Sequence, residues 1–145
     1  MKKYELTDET IEVYGTALHR IKALKDFGNV KKGELGGYVE SERNLSQEGN
    51  CWVYGNAEVY DNAEVCGNAK VFGNADYITI KGLGSKYRNT TIFRTKENIA
   101  VKCGCFYGTL AEFVDKVKET HGNSKFAKEY LALIDLVKIH FELEE

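Results

Sequence analysis

The sequence predicts a mainly β protein with an α-helical C-terminal part, and three observations carry that prediction. Five consecutive six-residue units run without a gap from Gly49: GNCWVY, GNAEVY, DNAEVC, GNAKVF and GNADYI. Short alternating apolar segments flank them, Tyr4-Glu5-Leu6 and Ile11-Glu12-Val13-Tyr14 on one side, residues 90–94 and 99–105 on the other. From Thr109 onward the pattern becomes helical, with Leu110, Phe113, Val114 and Val117 on one face.

The hexads set the architecture. Position one is Gly49, Gly55, Asp61, Gly67 and Gly73; position two is Asn50, Asn56, Asn62, Asn68 and Asn74. Position three is Cys51, then Ala57, Ala63, Ala69 and Ala75; position five is Val53, Val59, Val65, Val71 and Tyr77. A period of six would rotate an apolar residue around an α-helix, and the many Gly and Asn residues would weaken one. A short strand followed by a corner fits better. Val points inward, Ala two places earlier points inward where space is tight, and Gly-Asn supplies a corner tolerant of positive φ. Three such sides close a triangular coil of 18 residues. That coil predicts Val53 beneath Val71, Val59 beneath Tyr77, Ala57 beneath Ala75, Asn50 beneath Asn68 and Asn56 beneath Asn74. Leu35 lies 18 residues before Val53, whereas Val39 and Leu45 do not keep phase, so an irregular first coil is expected.

On these GNAxV units, together with GELGGYVESERNLSQEGNCWVYGNA at residues 33–57, the chain resembles the hexapeptide-repeat family. It is similar in particular to short phage and prophage solenoid proteins labelled transferases or polymer-forming proteins. The resemblance covers residues 1–80 and implies a short left-handed parallel β-helix. The left hand comes from the family alone, since ordinary parallel crossovers are right-handed. It also implies where chemistry would lie: family acyltransferases use a His to deprotonate the acceptor, and a carbonic-anhydrase branch holds zinc on three His.

The flanks read as caps, because an open coil end presents unpaired backbone groups. Residues 1–32 are expected to form an N-terminal β cap, with a hairpin turn at Asp8-Glu9; residues 17–24 fit a strand or a helical turn. Residues 33–81 are the repeat unit. Residues 82–145 follow as a β-hairpin plus two helices, with Lys81-Gly82-Leu83-Gly84-Ser85-Lys86 as linker. The hairpin turns across residues 95–98. Thr109 and Glu112 form a capping box, Gly122 ends the first helix and Ser124 caps the second. The second helix carries Phe126, Tyr130, Leu133, Ile134, Val137 and Phe141, with Leu131, Leu136 and Ile139 on another side, so it is expected to be buried on more than one face.

Composition narrows the function classes. Among 145 residues, 20 Lys+Arg against 22 Asp+Glu give a net charge of −2, which argues against nucleic-acid binding and against a polybasic membrane anchor. No apolar run approaches the roughly 20 residues that span a bilayer, and MKKYELTDET lacks a signal-type core, so a cytoplasmic setting is expected. Cys51, Cys66, Cys103 and Cys105 then suggest no disulfide framework, and their spacing suggests no zinc site. The histidines are His19, His121 and His140, none of them inside residues 33–84. No catalytic residue, cofactor or metal is therefore assigned. Glu58 and Asp76 stack in the coil map as a cation site or a solvated side.

The outward positions are more informative. Trp52, Tyr54, Tyr60 and Phe72 define an expected outer aromatic face, covered by the chain's own ends, by another subunit or by a ligand. The expectation is a non-enzymatic binding or assembly protein, a homo-oligomer, with the phage resemblance suggesting a host defence protein as partner. The alternatives are a reduced acyltransferase, whose base would be His19 or a carboxylate, and a protein that sequesters a small ligand.

Overall fold

The computed structural model describes residues 1–143, so the last two residues of the expected C-terminal unit lie outside the described residues. The first elements are β1 (Tyr4–Val13) and β2 (Thr16–Ala23), an antiparallel hairpin. Its turn is Tyr14-Gly15, with φ of 50° and 83°. Two successive positive φ values match the twist of a two-residue hairpin. The turn expected at Asp8-Glu9 is instead an irregularity between Leu6 and Thr10 within one long strand. There the Thr7 hydroxyl donates to the Arg20 carbonyl at 2.8 Å. Residues 17–23 are strand, not a helical turn.

β3 (Leu35–Val39) pairs antiparallel with β2 and opens the repeat segment, which continues through β4 (Trp52–Val53), β5 (Glu58–Val59) and β6 (Lys70–Val71). Three parallel pairings tie this segment to itself. Val39 lies beside Val59, Leu45 beside Val65, and Val53 beside Val71 as expected. All six side chains are buried. The displacement is 18 residues only on the Val53 side and 20 on the other two. Val39 and Leu45 do keep the six-residue step; two extra residues at the corner before Val53 shift the phase. Leu35, the residue expected beneath Val53, is half exposed.

Tight approach between neighbouring turns explains Gly36-Gly37. A β-carbon on Gly36 would lie 2.6 Å from the Val53 carbonyl oxygen, and one on Gly37 would collide with the Ala57 carbonyl. At the corners, Gly49, Gly55, Asp61 and Gly67 have φ between 56° and 73°. Asp61 adopts at some cost what glycine adopts freely. The fifth hexad departs from the pattern. Tyr77 pairs antiparallel with Phe93 in place of stacking on Val59, and its hydroxyl donates to the Glu58 carbonyl at 2.8 Å.

β7 (Tyr77–Leu83), β8 (Arg88–Arg94), β9 (Ile99–Cys103) and β10 (Phe106–Thr109) form an antiparallel meander. Residues 81–86 are therefore the end and turn of a hairpin, not a linker. Helices α1 (Leu110–His121) and α2 (Lys125–His140) follow, with Thr109 and Ser124 as their caps and Gly122 at φ 58°. The described residues are thus mainly β with two C-terminal helices, in sheets that mix parallel and antiparallel pairing.

β8 divides the interior in two. Phe93 belongs to the apolar cluster of the repeats and Ile92 to the cluster of the helices, as the alternation of a strand requires. On its repeat-facing side, Thr91 Oγ1 accepts from the Glu64 amide at 3.0 Å, and Asn89 donates to the Asn62 carbonyl. At the other end of the repeats Lys3 is buried, its Nζ 2.8 Å from the Cys51 carbonyl and 3.3 Å from that of Gly49. Buried Asn44 bridges the Asp61 and Ala63 carbonyls at 3.2 and 2.9 Å.

Two substitutions test this packing by urea unfolding. Gly37→Ala is expected to lower stability by roughly 1–3 kcal/mol, because the neighbouring turn must move aside. Asp61→Gly is expected to raise stability by up to about 1 kcal/mol through relief of its backbone conformation.

Candidate functional site

The flank formed by β4 and β6 carries the most unusual surface. Tyr54 and Phe72 follow these strands and lie side by side, since Val53 pairs with Val71. Their rings stack with centroids 4.4 Å apart and an interplanar angle of 18°. Phe72 is 59% exposed. Lys70 Nζ lies 3.3 Å from the Tyr54 hydroxyl and 5.6 Å from the ring centroid, which fixes a cation at the edge of the pair.

The other two aromatics of the expected face lie elsewhere. Trp52 is fully buried, beneath the rings of Tyr4 and Phe27 at 6.1 and 5.2 Å, and its Nε1 has no hydrogen-bond partner among the described residues. Outward position four is covered here because the N-terminal segment adds a layer of its own. Tyr60 is half-buried around the next corner. Burial pushes its phenol upward, with smaller contributions from Tyr14, Asp61 and Glu58. Tyr54 and Phe72 therefore form one aromatic pair, and Trp52 and Tyr60 do not join it.

Beside the aromatic pair opens a groove of about 510 Å³, with Lys70 on its wall. Asn50, Asn68, Asn98 and Tyr107 line it, so Asn50 and Asn68, which were expected to stack, both face a cavity between the repeat corner and the β8–β9 hairpin. Tyr107 closes one end, its hydroxyl accepting from the Asn68 amide at 3.5 Å. A β-carbon on Gly67 would collide with that hydroxyl. Asn98 and Tyr107 were not legible as site residues, because only tertiary folding brings them to the repeats. The Asn56–Asn74 pair does not form: Asn74 accepts from the Glu58 amide at 2.8 Å, and Asn56 accepts from Arg20 at 3.2 Å.

Groups suited to catalysis are engaged elsewhere. His19 Nδ1 lies 3.1 Å from the Thr7 carbonyl, His140 Nε2 lies 2.7 Å from the Ala75 carbonyl, and His121 stacks on Tyr130. No histidine lines the groove among the described residues. Asp76 accepts from the Phe72 and Gly73 amides at 2.8 and 3.1 Å and pairs with Arg94 at 3.1 Å, so it caps a turn and does not join Glu58 as a cation site. Among the described residues no three His, Cys, Asp or Glu side chains group to hold a metal, and no helix is long and apolar enough to cross a membrane.

Over 62 residues the chain is 40% identical to a protein of Escherichia coli (strain K12) described as the uncharacterized acetyltransferase YdcK. The match covers 37% of this chain, and the chain spans about a fifth (19%) of that relative's length. No family model matches the chain.

Burial pushes the Tyr77 phenol up to about 12, from an ordinary 10.0. The folded state then keeps a proton that the unfolded state loses, so this contribution to stability is complete below pH 10 and is lost as pH rises toward 12. Lys3, held low by burial, acts in the opposite direction below 10.5, so the test is a difference. The stability of the parent chain minus that of Tyr77→Phe is expected to be constant to pH 10 and to fall above it, measured by urea unfolding.

Proposed function

We propose that the chain is a hexapeptide-repeat protein whose residues 33–81 wind as a short left-handed β-helix, and that it works as a non-catalytic binding protein. The observation that carries this reading is the stacked Tyr54–Phe72 pair, with Phe72 exposed, set just past two parallel strands beside a fixed cation. Rigid aromatic side chains lose little conformational freedom on contact and are enriched at protein interfaces. A protein surface is the occupant proposed here, either a second copy of the chain or, by analogy with phage-borne solenoids, a host protein. Parallel pairing at six-residue steps supports the β-helix. The residues flanking it serve as caps in this reading, residues 1–32 at one end and residues 82–145 at the other.

Tyr54→Ser combined with Phe72→Ser should leave the circular dichroism and the unfolding midpoint close to those of the parent. It should change either the mass by light scattering or the set of proteins captured by the tagged chain. An unchanged mass together with an unchanged capture profile would overturn the reading.

One observation favours a second reading, acetyl transfer: the similarity to a protein described as an acetyltransferase. The asparagine-lined groove would then hold the donor. Calorimetry with acetyl-CoA separates the two. Binding that Asn68→Ala in the groove wall weakens supports transfer, and the absence of heat supports a binding protein.

A further inference from the structure

On the helix-facing side of β8, we propose a second binding site, one for a small aromatic carboxylate. A cavity of about 220 Å³ opens there between the β9–β10 turn and the two helices. It is independent of the Tyr54–Phe72 face, which lies over the other apolar cluster.

Its walls are rings set edge to face. Phe106 and Phe113 have centroids 5.4 Å apart at 54°, Phe113 and Tyr130 lie 5.4 Å apart at 87°, and His121 covers Tyr130 at 5.9 Å. Such walls offer both ring edges and ring faces to a flat guest. The rim is cationic. Arg88 and Lys116 are exposed there and form no ion pair, and no Asp or Glu lines the cavity, among the described residues. In a chain of net charge −2, two free cations over an aromatic floor are a local reversal of sign. Arg88 is also fitted into its place: a β-carbon on Gly104 would collide with the guanidinium, so the tight turn there leaves room for it.

These features select the guest together. A carboxylate matches the fork of Arg88 as a charge-assisted pair. An inorganic anion alone would leave the ring walls wet. The volume falls below the roughly 300–1,000 Å³ of sites for drug-sized ligands, so one ring with a short acidic arm fills it.

Cys105 reports occupancy, since it is the exposed thiol on the rim while Cys103 is buried. Phenylacetate, phenylacetamide and inorganic phosphate are each added to the full chain, and alkylation of Cys105 by iodoacetamide is followed by mass spectrometry with Cys66 as internal reference. Phenylacetate should slow alkylation of Cys105 and not of Cys66, with affinity on the order of millimolar for so small a ligand. Phenylacetamide and phosphate should each protect far less. Arg88→Gln and Lys116→Gln should each weaken protection by phenylacetate about tenfold, as expected for loss of one charge-assisted contact, with unchanged circular dichroism. Equal protection by phenylacetamide or by phosphate overturns the proposal, as does no protection by phenylacetate. Full protection persisting in both variants overturns it as well.

Discussion

Unpaired backbone at the two ends of a short parallel stack is the constraint around which this protein is built. Three sides of the repeat segment pair with one another, Val39 with Val59, Leu45 with Val65 and Val53 with Val71, and so each set leaves its outer edge open. A buried donor or acceptor without a partner costs about 1–3 kcal/mol. With so few turns, open edges outnumber internal pairings, and the chain on either side of the repeats closes several of them. One end is sealed by β2, which pairs with β3, and by the Lys3 ammonium, which replaces missing donors at the Gly49 and Cys51 carbonyls. At the other end, side chains substitute for a further strand: Thr91 for an acceptor, Asn89 and Tyr77 for donors.

How these seals work explains what could be read from the residues alone. Hexads are local, with corner glycines and inward valines specified within each unit, and so the Val53–Val71 pairing and the corners at Gly55, Asp61 and Gly67 were legible. Both helices were legible for the same reason, because Thr109, Glu112, Gly122 and Ser124 act within a turn or two of their own position. Phase in the first turn was not, since the two extra residues before Val53 look like an ordinary polar loop. Turn chemistry misled twice. Asp8-Glu9 is polar but sits within a strand, whereas the actual turn places a tyrosine at φ 50°. Gly82 and Gly84 do take positive φ, yet they serve a hairpin.

The aromatic flank was legible only in part, for a related reason. Outward positions four and six are equivalent in a bare coil, which made Trp52, Tyr54, Tyr60 and Phe72 equivalent. Burial of Trp52 depends on Tyr4 and Phe27, whose arrival over position 52 no local pattern encodes. What remains outside is Phe72, stacked on a half-buried Tyr54. Tyr107 likewise reaches Asn68 across 39 residues of chain, so the groove exists only once the meander has docked on the repeats.

A strand with two buried faces also keeps those surfaces apart. Asn89, Thr91 and Phe93 of β8 work for the repeats, while Thr90 and Ile92 work for the helices, Thr90 by donating to the Cys103 sulfur at 3.3 Å. Changes at Tyr54, which packs on the first cluster, and at Phe113, a member of the second, therefore fall on separate apolar clusters, where free-energy effects ordinarily add. Thr91 is the exception in kind. It completes the seal of the repeats from the strand that also supports the helix cluster, so a change there acts on the body that carries both surfaces. Substituting an apolar isostere at this position would leave the Glu64 amide unpaired at the end of the stack, the point where the fold has the fewest alternatives.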